Sequence, residues 1–235
     1  MVISRRTFLG NAAVCSAALL SASRGWSSFS WRPRQDLDCL IVDLQDHCSL
    51  QESIRGYESA LETAGVGFIR ALPQVTLKCR NVIVPGMAQI DESLGRELLN
   101  CLENGSSLLL ECGLGFVDSS IFEAQQNFLR SHFDLGIQSP VHLLTRQNHH
   151  YVPYINYSWP LELSVREFGP VVPLSDHGAS WIGWAQELPV ALRQKIGRGM
   201  LTFLGSPLGP ALLAGDLHAR QWLYKLLTSG HRRER

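Results

Sequence analysis

Short apolar runs alternate with amphipathic stretches through the first half of the chain. Asp38–Leu44, Val66–Leu72, Asn81–Gly86 and the run from Gly105 to Cys112 are short, largely apolar and bounded by Gly, Pro or Ser. That is the pattern of strands covered on both faces, as in a parallel sheet. Between them apolar residues recur three and four apart: Ile54, Tyr57, Leu61 and Ala64, then Leu94, Leu98, Leu99 and Leu102, and a helical pattern from Ser119 to Phe133. The boundaries carry local signals. Ser49 with Glu52 three residues on reads as a capping box, Gly65 as a stop, and Asp91 as a cap. Strands alternating with helices of this length predict right-handed βαβ units and an α/β fold with a mostly parallel central sheet.

Beyond Phe133 the periodicity loosens. Residues 136–173 are rich in proline and aromatic residues and read as an irregular insertion, extended or antiparallel over one sheet edge, with candidate strands at Val141–Leu144 and Leu161–Val165. Regularity returns at Ser180–Ala185 and Gly199–Gly205, expected to pair through a turn at Gly197–Arg198. Leu212–Leu227 supplies a closing amphipathic helix. His149 and His150 precede Tyr151, Tyr154 and Tyr157. Adjacent histidines on a strand point to opposite faces, so the stretch reads as a loop with aromatic packing rather than a metal site. No metal and no cofactor is assigned.

The chain has 235 residues, 45% hydrophobic and 18% charged, with formal net charge zero. One full core is affordable, and nothing in the charge marks a nucleic-acid partner. The N-terminus changes the picture. Arg5-Arg6-Thr7-Phe8-Leu9 precedes a weakly apolar run, Ala12 to Ala22, too short to span a bilayer. Residues 1–23 resemble a twin-arginine export signal, with Ser21-Ala22-Ser23 as a cleavage region. Residues 24–36 read as a linker, 37–229 as a single α/β domain and 230–235 as a basic tail. The expected address is periplasmic or extracytoplasmic, with membrane contact only through an uncleaved signal. The exported part keeps Cys39, Cys48, Cys79, Cys101 and Cys112, an odd number without C-x-x-C spacing. A disulfide between Cys48 and Cys112 is left open.

Candidate chemistry gathers where the fourth strand runs into Leu110-Glu111-Cys112-Gly113-Leu114-Gly115. A strand, sharp turn and helix place such a turn at the carboxyl edge of the sheet, where open α/β folds bind ligands and hold nucleophiles. With Asn81–Gly86 as a strand ending in Pro-Gly, this stretch resembles the class I glutamine amidotransferase-like fold, in the version found at the N-terminus of biotin-protein-ligase-like proteins. The resemblance covers residues 38–116 and 197–227. It implies a flavodoxin-like, amidotransferase-like three-layer sandwich and puts Cys112 at the family's nucleophile. The family's small residues two before and two after the cysteine are here Leu110 and Leu114. Its histidine and glutamate after the last strand are replaced by Gly205-Ser206-Pro207-Leu208-Gly209.

A thiol without a base stays protonated at neutral pH. The expected function is therefore an exported, non-hydrolysing amidotransferase-like protein, ligand-binding or accessory, with Gly86, Glu111 and Gly113 around the ligand. Its partner is an unidentified small molecule or an envelope protein, the latter contacting residues 136–173. The alternative is a cysteine-dependent hydrolase in which Cys112 attacks a carbonyl, His47 or His177 is the recruited base, and N–H groups near Gly86 and Gly113 hold the oxyanion.

Overall fold

The structure, a computed structural model, describes residues 39–44, 49–72, 79–143, 153–167, 169–175 and 180–229. The export-signal reading, the linker and the basic tail lie outside them, as do His47, Cys48, His149, His150 and His177. In chain order the elements are β1 (Cys39–Val42), α1 (Gln51–Ala64), β2 (Phe68–Ala71), β3 (Asn81–Met87), α2 (Glu92–Glu103), β4 (Ser107–Cys112), a 3-10 turn (Leu114–Phe116) and α3 (Ser119–Phe133). Then follow β5 (Tyr154–Tyr157), β6 (Leu163–Arg166), β7 (Ser180–Ala185), β8 (Leu188–Ile196), β9 (Gly199–Leu204), α4 (Gly209–Leu213) and α5 (Leu217–Ser229).

The protein is α/β. Among the described residues, nine strands form one sheet in the order β2-β1-β3-β4-β9-β8-β7-β5-β6. The pairings from β2 to β9 are parallel, and those from β9 to β6 are antiparallel. The sheet is thus mixed rather than mostly parallel. β1, β3 and β4 are buried almost throughout, because helices cover both faces. On one face Tyr57 and Leu61 of α1, Leu212 of α4 and Trp222 of α5 pack on Ile41, Ile83 and Leu109. On the other, Leu94, Leu98 and Leu102 of α2 with Phe122 and Leu129 of α3 pack on Leu40, Val82, Leu108 and Leu110.

Most predicted boundaries are present. Gly65 ends α1 in the left-handed conformation and its N–H reaches back to the last turn. Asp91 caps α2 by accepting from the Leu94 N–H at 2.7 Å. The expected capping box at Ser49 is not formed: Leu50 is the N-cap and makes no side-chain cap. Ser49 instead forms an antiparallel bridge with Met87, and the Leu50 N–H donates to the Gly86 carbonyl at 3.0 Å. Backbone bonds to β3, not a side-chain cap, fix the start of the helix.

The second half departs further. β7 does not pair with β9, because β8 lies between them. That strand is hard to see in Leu-Pro-Val-Ala-Leu-Arg-Gln-Lys-Ile, where an internal proline argues against a strand and the polar run Arg193-Gln194-Lys195 follows. Pro189 is tolerated because β8 pairs antiparallel near its end. Within residues 136–173, β5 and β6 extend the same sheet, while Val141 makes only an isolated bridge to Val171. The closing helix is two helices. Gly215, at φ +78°, breaks the pattern between α4 and α5. Among the described residues no helix is long and apolar enough to cross a membrane.

Candidate functional site

Residues alternate across a strand, and at the end of β4 that alternation sends Glu111 toward α1 and α4 and Cys112 into the cluster under α2 and α3. The two neighbours therefore occupy different interiors.

Cys112 is a free thiol and 1% exposed. Burial pushes its pKa up to about 12; the Glu111 charge adds to this, and an N–H from Leu114 opposes it. A thiolate is the reactive form, and these surroundings suppress it. Cys112 is in no disulfide here, and Cys48, the partner left open above, lies outside the described residues.

The glycines beside it are committed to the backbone. Gly113 donates its N–H to the Met87 carbonyl at 2.6 Å. A Cβ at Gly113 would lie 2.4 Å from the Gly86 carbonyl oxygen, so only glycine lets β4 leave the sheet this close to β3. Gly86 sits at φ +51°, in the left-handed region that favours glycine. Its carbonyl accepts from Leu50 and its N–H serves Glu111. The N–H groups considered for an oxyanion hole are thus both spent inside the fold.

Glu111, at 0% exposure, is the hub of this region. One carboxylate oxygen accepts from the Ser53 hydroxyl at 2.5 Å and the other from the Gly209 N–H at 3.2 Å. The Gly209 approach needs bare backbone on both helices: a Cβ there would lie 2.2 Å from Ser53 Cα, and a Cβ on Gly56 would lie 2.0 Å from the Gly209 oxygen. Burial raises the Glu111 pKa to about 7, against the lowering effect of its donors. The Tyr57 hydroxyl faces the same carboxylate without reaching regular hydrogen-bond geometry; burial first, and then the Glu111 charge, push its pKa well above 10. Further along this face Ser206 hydrogen-bonds Tyr157, whose pKa burial also raises.

The expected residues therefore do not form one open cleft. Gly86, Glu111 and Gly113 come together as an internal brace, and Cys112 lies beside it facing the other core. No base approaches from the stretch after β9, where Ser206 and Leu208 are buried. Of the three described histidines, His132 pairs with Glu92 at 3.0 Å, His218 lies 2.9 Å from the Ser164 carbonyl and His142 is exposed. Among the described residues no group of three or more His, Cys, Asp or Glu is placed to hold a metal ion. What sequence reasoning missed is the donor set of Glu111. Ser53 was readable only as a helix residue, and Gly209 only as part of a departure from a family motif.

Neither a protein-family model nor a curated protein sequence matches the chain. Solved structures do. Gan42B, a GH42 β-galactosidase from G. stearothermophilus, aligns at 15% identity and a TM-score of 0.62, over 84% of this chain and 30% of that one. The β-galactosidase of Bacillus circulans sp. alkalophilus gives 15% and 0.61, over 82% of this chain and 30% of that one. The cytoplasmic protein STM1381 of Salmonella typhimurium LT2 gives 9% and 0.60, over 83% of this chain and all of that one. The chain spans about a third of the β-galactosidases it matches, and at these identities the likeness is one of fold.

These likenesses correct the sequence-based assignment to the glutamine amidotransferase-like family. The solved structures named above that share this fold are β-galactosidases and STM1381, not glutamine amidotransferases. The motif that carried the assignment has a physical alternative. Gly113 is required by the close passage of β4 and β3, and Gly115 lies against Pro170, where a Cβ would stand 2.8 Å from the ring; these are packing demands that need no nucleophile.

Proposed function

We propose that this chain is a non-hydrolytic ligand-binding or accessory protein that works outside the cytoplasm, serving a small molecule or an envelope protein. The observation that supports it most is the state of Cys112, buried at 1% exposure with its pKa pushed up to about 12. The neighbouring N–H groups of Gly86 and Gly113 are already bonded. A catalytic cysteine needs the reverse, an accessible thiolate and free donors. Likeness to about a third of each β-galactosidase chain supports a module that accompanies larger enzymes, and the parallel strands β2-β1-β3-β4-β9 support a flavodoxin-like core. The extracytoplasmic address rests on Arg5-Arg6 and the short apolar run after them.

The test is an ester and amide hydrolysis screen of the purified full chain beside Cys112→Ala. No Cys112-dependent turnover is expected. Turnover that falls roughly 10²-fold or more in Cys112→Ala, and again in His47→Ala or His177→Ala, overturns the reading in favour of a cysteine hydrolase. Fractionation of cells making the tagged full chain tests the address, which recovery in the cytosol alone overturns.

A further inference from the structure

At the other end of the strands, away from the tip of β4, lies a partly open cavity of about 30 Å³ between the sheet and the last turn of α5. Strand register builds it. Asn81 pairs with Ser107 and Ser107 with Met200 in one row; Leu109 pairs with Thr202 and Thr202 with Arg193 in the next. Paired residues share a face, so amide, hydroxyls and guanidinium are gathered over one patch of an otherwise apolar layer. Asn81 is 4% and Thr202 3% exposed. Among the described residues lining the cavity, Arg193 alone carries charge, and no carboxylate lines it.

The guanidinium is held in place. It stacks 4.2 Å from the centroid of the Trp159 ring, and Trp159 is itself fixed by the Trp222 indole N–H donated to its carbonyl at 3.0 Å. Leu226 and Leu227 form the apolar wall. The C-terminal end of a helix normally disfavours an anion. The hydroxyls of Thr228 and Ser229 fold back onto the Tyr224 and Lys225 carbonyls, so an anion is held from the sheet side, by Arg193 and its neighbours, and not by the helix end.

We propose that this cavity, formed by Arg193, Thr202, Ser107 and Asn81, binds a compact oxyanion, either free or as the head of a larger ligand. A positioned guanidinium beside hydroxyl and amide groups is the chemistry that recognises phosphate and carboxylate. The cavity is small and partly open, so a ligand would enter it with a compact group and leave any larger part outside. The site is independent of the reading given for Cys112.

Calorimetric titration of the full chain with inorganic phosphate and, separately, with acetate tests it, at constant ionic strength set by sodium chloride. Saturable binding of at least one probe is expected, and which one binds assigns the head as phosphoryl or carboxylate. Arg193→Gln and Thr202→Val should each weaken it by about tenfold or more, the scale of a lost charge-assisted hydrogen bond. Absence of saturable binding by both probes, or binding unchanged in the variants, overturns the proposal. Should Arg193→Gln fail to fold, Thr202→Val, with a melting curve matching the parent, decides alone.

Discussion

The Ser53 hydroxyl donates to a Glu111 carboxylate oxygen at 2.5 Å, tying the first turn of α1 to the end of β4 through a fully buried acid. Because burial outweighs the donors, the Glu111 pKa rises from 4.5 to about 7. A carboxyl whose folded pKa lies above its unfolded value stabilises fully below the unfolded value and loses that contribution as pH rises through the folded one. The protein should therefore weaken between pH 5.5 and pH 8 by about 2 kcal/mol from this group. Glu111→Gln, uncharged throughout, should flatten that stretch. Urea unfolding of both proteins at the two pH values measures it, and an equal fall in Glu111→Gln would remove Glu111 as the source.

The two α1 side chains at this acid should respond differently to truncation. Ser53→Ala deletes a hydrogen bond to a buried carboxyl and should cost about 2 kcal/mol. The Tyr57 hydroxyl is buried without a regular partner, so Tyr57→Phe exchanges an already desolvated group for a hydrogen. Its effect should stay below about 1 kcal/mol in either direction. Denaturant midpoints at pH 6 give both values, and a Tyr57→Phe cost as large as that of Ser53→Ala would mean the phenol carries a bond to Glu111 after all.

The contrast between Asp91 and Ser49 shows how far local sequence reaches. The cap at Asp91 is decided within four residues, so it was readable and is present. The cap at Ser49 was equally readable, but Leu50 finds its acceptor on Gly86, thirty-six positions away, and the hydroxyl is bypassed. The buried strands β1, β3 and β4 were legible because burial on both faces demands continuous apolar runs, and α3 because its buried residues recur at helical spacing. β8 was not, because polar residues on an antiparallel strand and a proline near its end erase that signature. The chemistry around Glu111 was the least legible. Its donors come from α1, β3 and α4, and no spacing rule joins Ser53, Gly86 and Gly209 to a residue on β4.

Glycine is demanded at the places where α1 meets α4 and β3 meets β4. A methyl group at Gly209 would stand 2.2 Å from Ser53 Cα, and one at Gly113 would stand 2.4 Å from the Gly86 oxygen; both obstacles are backbone. At Gly67 a Cβ meets nothing within 4 Å. Gly209→Ala and Gly113→Ala should each cost about 3 kcal/mol, near the upper end of overpacking penalties, while Gly67→Ala should lie within about 0.5 kcal/mol of the parent. Thermal melts of the three variants separate the groups. A Gly113→Ala protein as stable as Gly67→Ala would mean that β4 can leave the sheet by another path.

Thiol chemistry gives the sharpest contrast within one molecule. Cys112 and Cys39 are buried, each with a pKa pushed up to about 12, whereas Cys79 is only half-buried. Alkylation requires thiolate and access together. In the folded protein at pH 8, Cys79 should therefore react first, and Cys112 at least about tenfold more slowly, at a rate set by opening of the core rather than by reagent concentration. Adding denaturant should bring the two rates together. Peptide-resolved mass spectrometry over a time course reads each cysteine separately. A Cys112 that outpaces Cys79 in the native protein would show an open, activated thiol at the end of β4, and with it the chemistry that the closed brace around Glu111 argues against.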